Sequence, residues 1–104
     1  MSAKSAIDPL APVHPGEMLA EEFLKPLGLS AGGAAARMGV PRTRIERLLG
    51  RTTRMTPDTA LRLEHLLGMP AEFWLSLQSR YDLLTARAVL PASITSIERL
   101  EPGA

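Results

Sequence analysis

A chain of 104 residues with 45% apolar content and four aromatics (Phe23, Phe73, Trp74, Tyr81) suits one domain, with a small core built mainly of Leu, Ala and Met. It has no cysteine, which excludes disulfides, a thiol nucleophile and Cys-ligated metal. Its two histidines, His14 and His65, have no metal-spaced companion, so both read as surface or capping residues and no metal or cofactor is expected. The net charge of +1 hides a division. Residues 29–54 hold six arginines against the single acid Glu46, a balance of +5, and leave the other 6 basic and 10 acidic residues at −4.

Residues 1–13, MSAKSAIDPLAPV, are rich in Ala, Pro and Ser without periodicity and read as a flexible N-terminal arm. They lack the apolar core of a secretory signal. No later stretch approaches the roughly 20 apolar residues of a membrane span, so a soluble cytoplasmic protein is the expectation. From His14 a first helix begins, with Pro15 at its first position and Glu17 in its first turn. Leu19, Phe23 and Leu27 repeat every fourth residue with Leu24 alongside, and Glu17, Glu21 and Glu22 lie away from that stripe. Lys25-Pro26 is expected to bend or end this helix, and Gly28 to separate it from the next.

A second helix is expected from the N-cap Ser30, burying Ala34, Ala35 and Met38 and stopping at Gly39 in the left-handed conformation. A third begins near Pro41, with Ile45, Leu48 and Leu49 forming one apolar stripe. At roughly 100 degrees per residue, Thr43 and Arg47 point opposite that stripe. Arg44 and Arg51 flank them on one side, Glu46 lies on the other, and Arg42 sits at the helix start. Two short helices joined by a Gly-containing turn, the second with an arginine-rich outer face, make a helix-turn-helix pattern whose second helix can enter the DNA major groove. The bland alternative is that these arginines only solvate one face of a small helical domain; their clustering around a plausible turn favours nucleic acid.

A fourth helix follows Thr56 as cap, with Pro57 at its first position, Asp58 in its first turn, Ala60, Leu63, Leu66 and Leu67 inward, and Gly68 as its stop. Pro70 opens a longer fifth helix, in which Trp74, Leu77, Tyr81 and Leu84 step along one face and Phe73 widens it. Such a stripe is core first, but its surplus can serve a second copy of the chain. In the tail, residues 89–104, Ile94, Ile97 and Leu100 recur at a helical step while the β-branched content favours a strand. The pattern fits both; an extended segment that packs on the body or pairs with a second copy is the expectation. Trp74, Tyr81, Ile94 and Ile97 are thus the candidate dimer residues. The fold class is all-α, with residues 14–88 as the helix-turn-helix domain. No nucleophile with a base and no carboxylate constellation suggests an enzyme.

Several stretches carry a family resemblance: His14-Pro15-Gly16-Glu17 with Glu22-Phe23, Leu27-Gly28-Leu29-Ser30, Gly39-Val40 with Arg42, and Thr59-Ala60-Leu61-Arg62-Leu63. To these are added Glu72-Phe73-Trp74-Leu75, Leu77-Gln78 and Tyr81-Asp82-Leu83. In this order and spacing the chain resembles the HigA-type antitoxins, a branch of the lambda-repressor-like (XRE) helix-turn-helix family, over residues 14 to about 88. The resemblance implies a five-helix fold, a homodimer that binds a palindromic operator to repress its own operon, and a partner toxin of the RelE-like ribonuclease kind.

Carried over by position, it implies base contacts from Arg42, Thr43 and Arg47 and phosphate contacts from Arg44, Arg51, Thr52 and Arg54. The arm and the acidic residues Glu17, Glu21 and Glu22 are the candidate toxin surface, lying away from the arginine stretch in sequence and charge. Two departures stand out. The usual Gln and bulky Leu that open the second helix are Ala31 and Ala34 here, with Gly32 and Gly33 between, so this helix is expected to be the softest. The usual Asn-Gly after the recognition helix is Gly50-Arg51. DNA binding is therefore expected to lean on arginine–phosphate attraction and to fall steeply with salt. Rival readings are a stand-alone XRE-type repressor without a toxin, and a protein-interaction module that has lost specific DNA binding.

Overall fold

A computed structural model of the chain describes residues 11–103; the larger part of the expected N-terminal arm lies outside them. The described residues are all-helical, with five principal helices and one further helical turn. Helix α1 runs over residues 15–27 as three continuous segments, Pro15–Met18, Leu19–Leu24 and Lys25–Leu27. His14 caps it, its Nδ1 accepting from the Gly16 N–H at 2.9 Å, so this histidine is a cap but buried rather than at the surface. The middle segment is π-helical, with the Lys25 N–H donating to the Ala20 carbonyl five residues back.

The proline explains that turn. Pro26 has no N–H, and in a regular α-helix its ring would press on the carbonyl of Glu22; a wider turn carries the chain past it. The helix therefore does not end at Lys25-Pro26 but continues to Leu27 and stops at Gly28, φ 62°. The wider turn also shifts the phase of the apolar stripe. Leu24 is buried, whereas Leu27, expected inside, is 62% exposed.

Helix α2 (Ala31–Met38) begins as expected, with Ser30 Oγ accepting from the Gly33 N–H at 3.0 Å, and ends at Gly39, φ 71°. Ala34, Ala35 and Met38 are its buried residues. Helix α3 (Arg42–Leu49) starts one residue later than expected, because Pro41 is the cap, with φ −61° and an extended ψ of 144°. A proline's φ suits both the cap and the first helical position, and only the turn before it sets ψ.

Thr56 caps α4 (Pro57–Leu67), and Gly68 ends it at φ 84°. Helix α5 (Ala71–Arg87) follows Pro70, its first N–H, that of Ala71, donating to Glu64 Oε1 of α4 at 2.7 Å. The turn α6 (Ala92–Thr95) interrupts the tail, which otherwise lacks regular structure and is exposed throughout residues 89–103.

Every principal helix contributes to one core: Leu19 and Leu24 from α1, Ala34, Ala35 and Met38 from α2, Ile45 and Leu48 from α3, Ala60 and Leu63 from α4, and Ala71 and Trp74 from α5. Met55, in the loop before α4, joins them. Phe23, Phe73 and Trp74 meet edge-on or tilted, with ring centroids 5.0–6.4 Å apart, in the range where aromatic pairs attract beyond their buried area. Trp74 is 0% exposed. It is wholly enclosed within this chain and so leaves the set of dimer candidates: the aromatic surplus read from sequence is consumed by the core.

Candidate nucleic-acid interface

Helix α3 is held from beneath and from one end. Ile45 and Leu48 point into the core, which leaves Arg42, Thr43, Glu46 and Arg47 exposed along the outer face. At its last turn the start of α1 presses directly on the backbone: a Cβ on Gly16 would stand 1.8 Å from the Leu48 carbonyl oxygen. Only glycine allows this approach. The His14-Pro15-Gly16 sequence is thus a cap, a buried proline and a gap that α3 fills.

Beside α3 opens a groove of about 480 Å³, lined by Thr43, Arg44 and Arg47, by Thr53 and Arg54 of the following loop, and by Asp58 and Thr59 at the start of α4. The arginines around it are not held alike. Arg42 pairs with Glu46 one turn along at 3.1 Å. Arg44 pairs with Asp58, which also takes Arg62 at 2.9 Å. Arg51 pairs with Glu17 of α1 at 3.2 Å, and Arg54 with Asp82 of α5 at 2.7 Å. Arg37 bonds the Gly33 carbonyl of its own helix at 3.4 Å. Arg47 makes no ion pair among the described residues and stands exposed at the centre of the arginine-rich face.

The carboxylates respond to these partners. Asp58 has its pKa lowered, chiefly by the hydrogen bonds from Arg44 and Arg62, and Asp82 by the hydrogen bond from Arg54, with Gln78 adding to it. Both therefore stay ionised beside the arginines. His14 is also lowered, first by burial, with the Arg51 charge pushing the same way and a hydrogen bond to the Thr53 backbone opposing them. It sits edge-on to Tyr81, ring centroids 5.1 Å apart.

The loop after α3 is anchored in ways the sequence did not announce. Arg51 occupies the left-handed region at φ 62°, the position that the departure from Asn-Gly leaves to a residue with a Cβ. Thr52 closes α3, its N–H and hydroxyl both donating to the Arg47 carbonyl, at 2.9 and 3.1 Å. Further on, the Met55 N–H donates to the buried Gln78 Oε1 at 2.7 Å. Gln78 Nε2 in turn donates to Asp82 at 3.1 Å. Gly16, Gln78 and Asp82 fall in the stretches that carry the family resemblance and Asp58 in the first turn of its helix, but none of the four was among the expected site residues. A further signal was Gln78 and Asp82 four apart on a helix, a spacing that places them on one face.

The structure brings Arg42, Thr43 and Arg47 onto a single face, with Arg44 and Arg54 bordering the same groove. It separates the acidic trio. Glu21 pairs with Lys25 at 2.6 Å, while Glu17 is drawn to Arg51. Glu17 is therefore part of the arginine site's surroundings and not remote from it, because α1 begins where α3 ends. Tyr81 is half-buried against His14, and Ile94 and Ile97 are 51% and 70% exposed. Among the described residues no group of three His, Asp or Glu is placed to hold a metal ion, and no helix is long and apolar enough to cross a membrane.

No family model matches the chain, but individual proteins do. It is 42% identical over 86 residues, 83% of this chain and 80% of the relative, to virulence-associated protein I of Dichelobacter nodosus. It is 40% identical over 76 residues, 73% of this chain and 71% of the relative, to antitoxin HigA-1 of Vibrio cholerae. The chain belongs to the HigA-type antitoxin family. Among solved structures, antitoxin GraA in complex with its operator superposes with a TM-score of 0.79 at 38% identity, covering 96% of this chain and 99% of that one. In this HigA-type chain the family's helix-turn-helix is formed by α2 and α3, and the turn between them by Gly39, Val40 and Pro41.

Proposed function

We propose that this HigA-type protein is an antitoxin that binds a palindromic operator as a homodimer and represses its own operon. The observation that carries this reading is the outer face of α3, exposed along its length, with Arg47, which makes no ion pair among the described residues, at its centre and a groove beside it rimmed by arginine. The operator complex of its structural relative GraA supports it. Arg47 and Arg42 suit guanine, whose O6 and N7 accept both bonds of a guanidinium fork, and Thr43 suits either a base edge or a thymine methyl. Arg44, Arg51, Thr52 and Arg54 are assigned to phosphates, which fix register without carrying sequence information. In a two-fold dimer the two α3 helices would lie about one DNA turn apart, roughly 34 Å. The exposed Ile94 and Ile97, with the partly exposed Tyr81, are the surfaces left to join the copies.

The same reading includes neutralisation of a RelE-like ribonuclease toxin, supported by the name of the Vibrio relative and by charge: outside residues 29–54 the chain is net −4, complementary to a basic RNA-cutting partner. Glu21 and Glu22, with the N-terminal arm, are the surface assigned to it.

Binding of the purified protein to its own upstream DNA and to a scrambled duplex, at two salt concentrations, tests the repressor. Binding that weakens with salt but keeps its preference for the upstream duplex is expected. Weak, equal binding that vanishes with salt would move the protein to the interaction-module reading. For the toxin, co-expression with a RelE-like ribonuclease encoded beside it should lift growth arrest, and reversing Glu21 and Glu22 to Lys should weaken that rescue.

A further inference from the structure

Helix α5 faces a core of leucine and aromatic side chains, yet one of its three buried residues is a glutamine. Burying a carboxamide is unfavourable unless both its ends are bonded, and here both are. Oε1 accepts from the Met55 N–H at 2.7 Å and Nε2 donates to Asp82 at 3.1 Å, whose other oxygen takes Arg54 at 2.7 Å. Two adjacent loop residues are therefore held by two residues one turn apart on α5: Arg54 by its side chain and Met55 by its backbone. Met55's side chain, 3% exposed, pins the same point into the core. The Arg54 side chain stays 65% exposed and borders the groove beside Thr43 and Arg47.

We infer that Gln78 is a positioning residue for DNA binding: through Met55 and Asp82 it fixes where Arg54 stands beside α3, so that Arg54 meets the phosphate backbone in register with the helix. This rests on the operator-binding reading. A long side chain on an irregular loop loses rotamer freedom when it binds. A guanidinium already oriented by a fixed carboxylate and a fixed backbone has less left to lose, which is the physical advantage of building the relay into the core helix.

The test is a double-mutant cycle on the full chain, with Gln78→Met, Arg54→Ala and the double variant. Each is titrated with the upstream duplex over a series of salt concentrations, well below its own thermal midpoint. Arg54→Ala should lower the slope of log affinity against log salt by about 0.9 per protomer, the value of one phosphate contact. Gln78→Met should lower it by a similar amount, and the double variant by no more than Arg54→Ala alone.

Additive losses, or a Gln78→Met protein that is less stable with its salt slope intact, would make Gln78 a structural residue only and overturn the inference. Arg54 lies at the exposed end, so Arg54→Ala reports even where Gln78→Met does not fold; an unchanged slope there also overturns it. Wild-type protein that fails to select its upstream duplex would remove the operator reading itself, a different outcome from a selective wild type whose variants keep its slope.

Discussion

Helix α3 and the loop behind it carry the same residue type on the same side of the molecule, but they hold it differently. On α3, Arg47 is unpaired among the described residues and Arg42 leans on Glu46 of its own helix, while Arg44, nearer the loop side, is tied to Asp58 of α4. In the loop, Arg51 and Arg54 are tied to carboxylates on α1 and α5, and the backbone around them is anchored by Thr52 and by the bond from Met55 to Gln78. On the proposed reading, arginines that adapt to base edges would be served by freedom on a rigid helix, and those that meet a regular phosphate backbone by fixed placement. A count of positive charges makes no such distinction.

The largest way to break this contrast is to disturb what both regions share, the contact of α1 with the end of α3. Gly16→Ala places a methyl against the Leu48 carbonyl, a backbone atom that cannot swing aside. A loss of about 3 kcal/mol is expected, the upper end of the usual range for overpacking, read as a large fall in thermal midpoint. Arg47→Ala tests the free side. It should cost about 1–3 kcal/mol on operator DNA and much less on scrambled DNA; equal losses on both would make Arg47 a phosphate contact.

The held side is tested by pH. His14 accepts from Gly16 as a neutral imidazole and faces Arg51 and the Thr53 backbone from the loop, Glu17 from its own helix, and Asp82 and Tyr81 from α5. Its folded pKa lies below 6.5, so the unfolded chain takes up a proton first as pH falls. The stabilisation is complete above 6.5 and is lost as pH drops through the folded value. Thermal midpoints measured from pH 7.5 to 5 should therefore decline, and His14→Gln should flatten that part of the decline.

The smallest effect is expected at Gly32. A Cβ there would meet only the stem of Arg42, Cδ at 3.0 Å, and an exposed side chain can give way. Gly32→Ala should stabilise by about 0.5–1 kcal/mol, measured by denaturant titration, with little change in DNA selectivity. A marked loss of selectivity would show that Arg42 is as firmly placed as Arg54.

Local chemistry made much of the fold legible. Ser30, Thr56, Gly39 and Gly68 mark helix ends because a cap oxygen or a left-handed φ is a property of one residue and its near neighbours. The inward faces of α2 and α3 follow from an undisturbed helical period. Reading failed where that period was broken: the π turn ahead of Pro26 rotated Leu27 out to solvent, and Pro41 moved by one position because its φ serves two roles. The exposed face of α3 could be drawn from spacing alone. Which arginines of α3 and the following loop have partners could not, since Glu17, Asp58 and Asp82 come from three other helices.

By itself, then, the sequence determined an all-helical chain with a helix-turn-helix at its centre and an arginine-rich outer face, because capping, periodicity and charge are written within a few residues of where they act. Tertiary structure alone decided that Trp74 is core and not interface, that Glu17 belongs with Arg51, that Gly16 must stay without a side chain and that Gln78 holds the basic loop. Each of these depends on two segments meeting across the fold, closely enough at Gly16 to leave no room for a Cβ and at 2.7–3.1 Å between Gln78 and its partners, and no local pattern encodes a distance across the fold.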